Sequence, residues 1–253
     1  MTHPARLHVE GSGPPLIFVP GLDGTGLLFY RQVRVLSHRF RVITFRLRDD
    51  ATDMATLVND LAGHLDEVVP DREPVTVVGE SFGGALSMHF ALAHPERIRA
   101  MVILNSFRRV TPPIKLHAAI AGMQLVPWRT MQLVRRYTSA RLHSAHTHRD
   151  EIQKFLLLTA GTTRTGYRNR LRILTRYDIR DRLHEIAVPT LYLAADDDHL
   201  IPSVREAEAM AARVPGAQLR VLAGHGHCSF LAPDVDINEL LLEWDAERAA
   251  ANG

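Results

Sequence analysis

A chain of 253 residues with 46% hydrophobic and 23% charged side chains has the make-up of a folded domain, which excludes a disordered or low-complexity polymer. No apolar run reaches membrane-spanning length, residues 1–10 lack the apolar core of a signal peptide, and a single cysteine, Cys228, rules out an internal disulfide, so a cytoplasmic setting is the expectation. The net charge of +2 is divided unevenly, because residues 108–180 hold 15 basic and three acidic side chains, a local +12 against −10 for the remainder.

In chain order, the first strand candidate is Leu16 to Val19, and a glycine-rich turn, Pro20 to Gly26, follows it. Arg41 to Leu47 is a second strand candidate and residues 54–69 a helix. Val75 to Val78 is a third strand, which runs through Gly79-Glu80-Ser81-Phe82-Gly83-Gly84 into a helix over 82–94 that Pro95 stops. Met101 to Leu104 is a fourth strand, ended by Asn105. From 111 to 180 the pattern is helical only: Trp128, Met131, Val134 and Tyr137 recur at helical spacing, as do Tyr167, Leu171, Leu174 and Tyr177, and helix packing is their simplest use. After Val188-Pro189 the alternation resumes, with strands Thr190 to Ala194 and Gln218 to Leu222 flanking a helix over 203–213. Continuous apolar strands alternating with helices predict an α/β fold, a mostly parallel sheet covered by helices on both faces. Residues 1–110 and 181–253 would form its core, and 111–180 a helical cap inserted between two of its strands.

The chemistry concentrates at strand ends. G-x-S-x-G between a strand and a helix is a turn so sharp that only small residues fit two places before and after its apex. Gly79 and Gly83 supply these, and Ser81 would stand above the carboxyl edge of the sheet as a nucleophile. A serine hydroxyl needs a base, and the base an orienting acid. Asp196, Asp197 and Asp198 follow one later strand, and His225 and His227 follow the next, in the order serine, acid, histidine.

These motifs resemble the α/β-hydrolase superfamily over nearly the whole chain. The resemblance implies that the acid is Asp198, in a G-x-x-D-x-[apolar]-[apolar]-P pattern where Ala195 replaces the usual glycine. It implies His227 as base, since an apolar residue, Leu231, stands four places on; His225 is the alternative. The glutamate frequent five residues after the histidine is Ala232 here. The backbone N–H groups of Leu22 and Phe82 would form the oxyanion hole. The pair GLDGTG and GESFGG is similar to plant plastid esterase and acyltransferase proteins. The insertion resembles, in length and place, the lid of carboxylesterases that cleave pimeloyl-carrier-protein methyl ester. The implied activity is hydrolysis of a carboxylic ester or thioester through an acyl-enzyme, with no cofactor and no metal. Transfer of the acyl group to an alcohol is the alternative activity, and a catalytically silent binding module a further one.

The expected partner is a small-molecule acyl ester, anionic or carrier-linked if the basic insertion surrounds the site. If those arginines pair with the acidic body instead, they attract nothing. Neither nucleic acid nor stable membrane insertion is expected. Two competing motifs are weaker. Gly21-x-x-Gly24-x-Gly26, with Asp49 or Asp50 beyond the next strand, has the wrong spacing for a dinucleotide site. His143, His146 and His148, near Asp150, could hold a metal, though such clusters on basic helical segments are usually solvated.

Overall fold

A computed structural model describes residues 7–110, 113–125, 127, 128, 130, 138, 139 and 141–252. Its centre is a seven-stranded sheet of order β1-β3-β2-β4-β5-β6-β7. The strands are β1 Leu7–Glu10, β2 Pro15–Val19, β3 Arg41–Phe45, β4 Val75–Glu80, β5 Ile98–Leu104, β6 Thr190–Ala195 and β7 Gln218–Leu222. All neighbours pair in parallel except β1, which runs antiparallel to β3. Six strands fall where the apolar runs predict them. β1 was not expected: it is a short edge strand, three of its four residues are exposed, and it carries no continuous apolar run.

The apolar runs are explained by burial on both faces. In β2, Ile17 and Val19 point into one core cluster, and Leu16 and Phe18 into the other. Met101 and Ile103 of β5 likewise oppose Val102 and Leu104. One face is covered by α2 (Met54–Val68), α3 (Phe82–Ala93) and α7 (Ser203–Ala211), and the other by α1 (Tyr30–Leu36) and α8 (Ile237–Asn252). The last helix starts at Ile237.

Between β5 and β6 lie helices α4 (Pro113–Leu125), α5 (Arg149–Thr159) and α6 (Arg164–Arg176). Thr163 caps α6 by accepting the Gly166 N–H at 3.0 Å. Asn169, Arg170, Leu171, Ile173 and Leu174 form its buried face, and α4 packs against it through Ile120, Met123 and Leu171. The Trp128 and Tyr167 rings lie 6.0 Å apart, in keeping with helix packing, while Met131, Val134 and Tyr137 fall outside the described residues.

Candidate active site

Four strand ends converge on one edge of the sheet. At the end of β4 the chain reverses into α3, and Ser81 takes φ 53° and ψ −115°, in the left-handed half of backbone space where a side chain is strained. The glycines permit this. A Cβ on Gly83 would fall 2.0 Å from the Val19 carbonyl oxygen, and one on Gly79 would fall 2.6 Å from that of Gly83. The turn is held by the Ser81 N–H on the Leu104 carbonyl at 2.9 Å and by the Ser106 hydroxyl on the Ser81 carbonyl at 2.8 Å.

The loop after β6 presents Asp198, whose side chain is 1% exposed. Its Oδ1 accepts the N–H groups of Leu200 at 2.8 Å and Ile201 at 3.1 Å, and its Oδ2 accepts the Ser203 hydroxyl. Oδ2 also lies 2.7 Å from Nδ1 of His227, on the loop after β7. Burial alone would push the Asp198 carboxyl up, but the bonds from His227, Ser203 and Ile201 outweigh it and hold the group below the usual carboxylate range. Of the three aspartates, only Asp198 meets this histidine. Asp196 accepts the Gly224 N–H at 2.7 Å, and Asp197 lies 3.5 Å from His199. His225 turns away, its Nδ1 2.9 Å from the Ser144 hydroxyl.

The other imidazole nitrogen has a partner that sequence reasoning did not nominate. His227 Nε2 is 3.2 Å from Oε1 of Glu80, the residue before Ser81 and itself 7% exposed. Among the described residues the Ser81 hydroxyl has no hydrogen bond to the imidazole. Burial alone would lower the His227 pKa, but its bonds to Asp198 and Glu80 push it up to about 10. Burial also raises the Glu80 carboxyl, against the opposing pull of His227. Both directions describe one event, a proton held tightly between imidazole and carboxyl.

Leu22 and Phe82 both line the cavity that Ser81 and His227 face. Phe82 opens α3, so its N–H has no carbonyl a turn earlier to meet. The Leu22 turn is braced from the insertion: Arg170, 2% exposed, donates Nε to the Leu22 carbonyl at 2.9 Å and Nη2 to the Asp23 carbonyl at 3.1 Å. Its Nη1 lies 3.6 Å from Asp49. Thr162 adds a bond to the Asp23 carbonyl at 3.1 Å. A second brace is Asn105, buried at the end of β5 with φ 44°. Its Nδ2 donates to the His227 carbonyl at 2.7 Å and its Oδ1 accepts the Ala195 N–H at 2.8 Å. It thus ties the acid loop to the histidine loop. Both braces join residues far apart in sequence, and no local spacing signals them.

The cavity measures about 630 Å³ and is walled mainly by apolar side chains, including Leu116, Phe155, Leu171 and Leu174 of the insertion. Its described charged lining is Asp23, Glu80 and Glu206 against Arg109, with His227 between. Among the described residues, the +12 of the insertion contributes no cation to this lining beyond Arg109.

The sequence profile of the Alpha/beta hydrolase family matches residues 16–240. The chain belongs to that family. Among relatives of this hydrolase, a protein of Azorhizobium caulinodans named for carbamate hydrolysis, RutD, is 28% identical over 260 residues, covering 94% of each chain. The Escherichia coli O157:H7 protein of that name is 26% identical, covering 90% of each. Among solved structures, a thermophilic esterase from Thermogutta terrifontis superposes with a TM-score of 0.84 at 23% identity, over 95% of this chain and 92% of that one. An esterase from Exiguobacterium antarcticum gives 0.83 at 20% identity, over 94% of each. These likenesses place the fold among α/β hydrolases and the chain among hydrolases. No helix among the described residues of this family member is long and apolar enough to cross a membrane.

Proposed function

We propose that the protein is a serine hydrolase that cleaves a carboxylic ester or thioester through an acyl-enzyme, with Ser81 as nucleophile, His227 as base, Asp198 as orienting acid, and the N–H groups of Leu22 and Phe82 as oxyanion donors. The observation that carries this reading is the 2.7 Å bond between His227 Nδ1 and Asp198 Oδ2 beside a strained serine that opens on the same cavity. Ser81 Oγ attacks the substrate carbonyl carbon, and its proton passes to His227 Nε2. That transfer requires Nε2 to exchange Glu80 for Ser81. The carbonyl oxygen, now negative, takes the two backbone N–H groups. Nε2 then returns its proton to the leaving oxygen or sulfur, and water repeats the sequence on the acyl-enzyme. The chemistry calls for no cofactor. Residues 111–180 act as a cap that walls the acyl pocket, and the setting is cytoplasmic.

The relatives' name makes a carbamate the second substrate class to test. The cavity favours the ester: about 630 Å³ lined by leucine and phenylalanine suits an apolar acyl chain, and a simple carbamate would leave most of it unfilled. The test is a fluorophosphonate probe read by intact mass and peptide mapping. It is followed by rates on p-nitrophenyl esters of graded length and on a carbamate, with and without a competing alcohol. A single adduct on Ser81 and ester cleavage are expected. No adduct, or an adduct elsewhere, overturns the reading, and product on the alcohol in place of water would make the protein an acyltransferase.

A further inference from the structure

The spacing His143-x-x-His146-x-His148 groups three histidines, and the fold separates them. His143 is buried, its Nδ1 2.7 Å from the Ser139 carbonyl and its ring edge-on to Phe155. His146 instead crosses to the loop after β7. Its Nε2 lies 2.7 Å from Oδ1 of Asp234, and its ring meets that of His225 edge-on with 4.9 Å between centres. His225 Nε2 is 3.6 Å from Oδ2 of the same aspartate. One ligand atom from each of these three residues falls within 4.8 Å of the other two.

We propose that His146, His225 and Asp234 form a binding site for a divalent transition-metal ion of the zinc class, clamping the insertion to the loop that carries His227. The donor set decides the class of ion. Two imidazole nitrogens and one carboxylate suit zinc and its neighbours, whereas calcium and magnesium require oxygen. Bonds of about 2.0–2.1 Å in a tetrahedral site set ligand atoms roughly 3.3 Å apart. The observed contacts of 2.7 Å to Oδ1 and 3.6 Å to Oδ2 lie on either side of that, and all three ligand atoms lie within 4.8 Å of one another, so the site closes when the side chains draw together by about an ångström.

An outer shell already orients one ligand. The Ser144 hydroxyl stands 2.9 Å from His225 Nδ1 and accepts the Gly226 N–H at 3.3 Å. A bond from Nδ1–H to that oxygen leaves the lone pair of Nε2 for the metal, the second-shell arrangement that metal-binding histidines use. Access is also provided. The His225 side chain is 8% exposed, while those of Asp234 and His146 are 57% and 43% exposed, so the ion can enter from solvent and keep a water as fourth ligand. The ligands come from two chain segments, 144–146 and 225–234, joined here only by side chains and short backbone contacts. A shared ion would hold them far more firmly than a hydrogen bond.

The experiment uses the full chain without a histidine tag, stripped with chelator and titrated with zinc chloride by equilibrium dialysis with elemental analysis. One zinc per chain is expected, with a rise in Tm on loading and visible absorption bands of a low-symmetry site when cobalt(II) replaces zinc. His146→Ala and Asp234→Asn, both at the surface, should each abolish stoichiometric binding and the Tm response. Ser144→Ala should weaken binding about 10–100-fold while still loading fully at high zinc. The proposal is overturned if the parent chain shows no saturable binding, or if His146→Ala and Asp234→Asn bind zinc as the parent does. The three side chains would then be a hydrogen-bonded latch. None of these readouts involves catalysis, so failure here leaves the hydrolase reading untouched.

Discussion

Arg170 donates its Nε to the carbonyl oxygen of Leu22 at 2.9 Å, so a buried side chain of the insertion fixes the turn that carries Leu22, the proposed oxyanion donor. Replacing it with Met, at similar side-chain volume, would leave the Leu22 carbonyl without this brace and the Asp23 carbonyl with the Thr162 bond only. Small displacements of preorganised donors cost on the order of 100-fold in rate. Arg170→Met should therefore lower kcat about 10–100-fold for a neutral ester with KM nearly unchanged, and Arg170→Lys should recover part of the loss. Steady-state kinetics with Tm measured alongside decide it. A fall in Tm with kcat intact would reduce Arg170 to a purely structural clamp.

Ser81→Ala removes the proposed nucleophile without relaxing the elbow, where Gly79 and Gly83 allow the close approach. It should cost about 10⁴–10⁶ in kcat and leave Tm close to the parent, and His227→Ala should lose as much. Retention of a tenth of the parent activity by Ser81→Ala would remove the serine from the mechanism.

Glu80 sets the pH at which the base becomes available. As the proposed base, His227 would work only when neutral, and the two carboxylates beside it push its pKa up to about 10. A raised pKa means that the active, deprotonated form gains population only as pH rises, so kcat/KM climbs on the alkaline side of neutrality. Glu80→Gln keeps the shape and removes one of the two negative neighbours. The imidazole should then move back toward its ordinary value of about 6.5, carrying the acid limb of the kcat/KM profile to lower pH. An acid limb at the same pH in both proteins would sever Glu80 from the base.

Asn105 makes its bonds in a left-handed conformation that asparagine tolerates better than alanine. Asn105→Ala strands the Ala195 N–H and the His227 carbonyl, so a loss of about 2–4 kcal/mol in unfolding free energy is expected. The denaturant midpoint should fall with the m-value unchanged. Because both catalytic loops hang on this side chain, kcat should fall with it, and equal kcat in a variant of lowered stability would contradict the bracing role.

The charge of the insertion should not steer substrate. Arg170 faces inward to Asp49, and among the described residues the cavity lining carries three acids against Arg109 and His227. A neutral and an anionic ester of equal acyl length should therefore give parallel kcat/KM responses across a salt series. An advantage for the anionic ester that fades as salt rises would restore the steering idea, and charge reversal at Arg168 and Arg172 would then locate it.

The sheet was readable because strands buried on both faces leave unbroken apolar runs, and β1 was not because an exposed edge strand needs none. The positions of Ser81, Asp198 and His227 were readable for a related reason: each sits at a strand end, where the turn itself constrains the neighbouring residues. Glu80 occupies a position that the motif leaves free, so its contact with Nε2 emerges only when β4 and the loop after β7 are side by side. Asn105 reads locally as a strand terminator, and its bond to the His227 carbonyl spans 122 positions. Arg170 reads as one more surface cation on a basic helix, and its contacts with Asp49 and the Leu22 carbonyl emerge only in the fold. The histidine triplet was grouped by spacing along one segment, whereas the fold pairs His146 with residues about 80 positions later.

The insertion leaves the sheet after β5 and returns at β6, and these two strands are direct neighbours, with Met101 opposite Thr190 and Leu104 opposite Leu193. The stem of the excursion closes beyond the sheet, where Arg109 and Asp178 form an isolated antiparallel bridge and the Ile179 N–H meets the Arg108 carbonyl at 3.0 Å, so its two ends lie about 5 Å apart. The cost of closing such an excursion grows only with the logarithm of its length. Helices can be added, shortened or exchanged there while every strand keeps its register, provided that a donor comparable to Arg170 still reaches the Leu22 turn. In lineages that share this fold, substrate range is therefore free to diverge in the excursion while the reacting atoms stay where the sheet puts them.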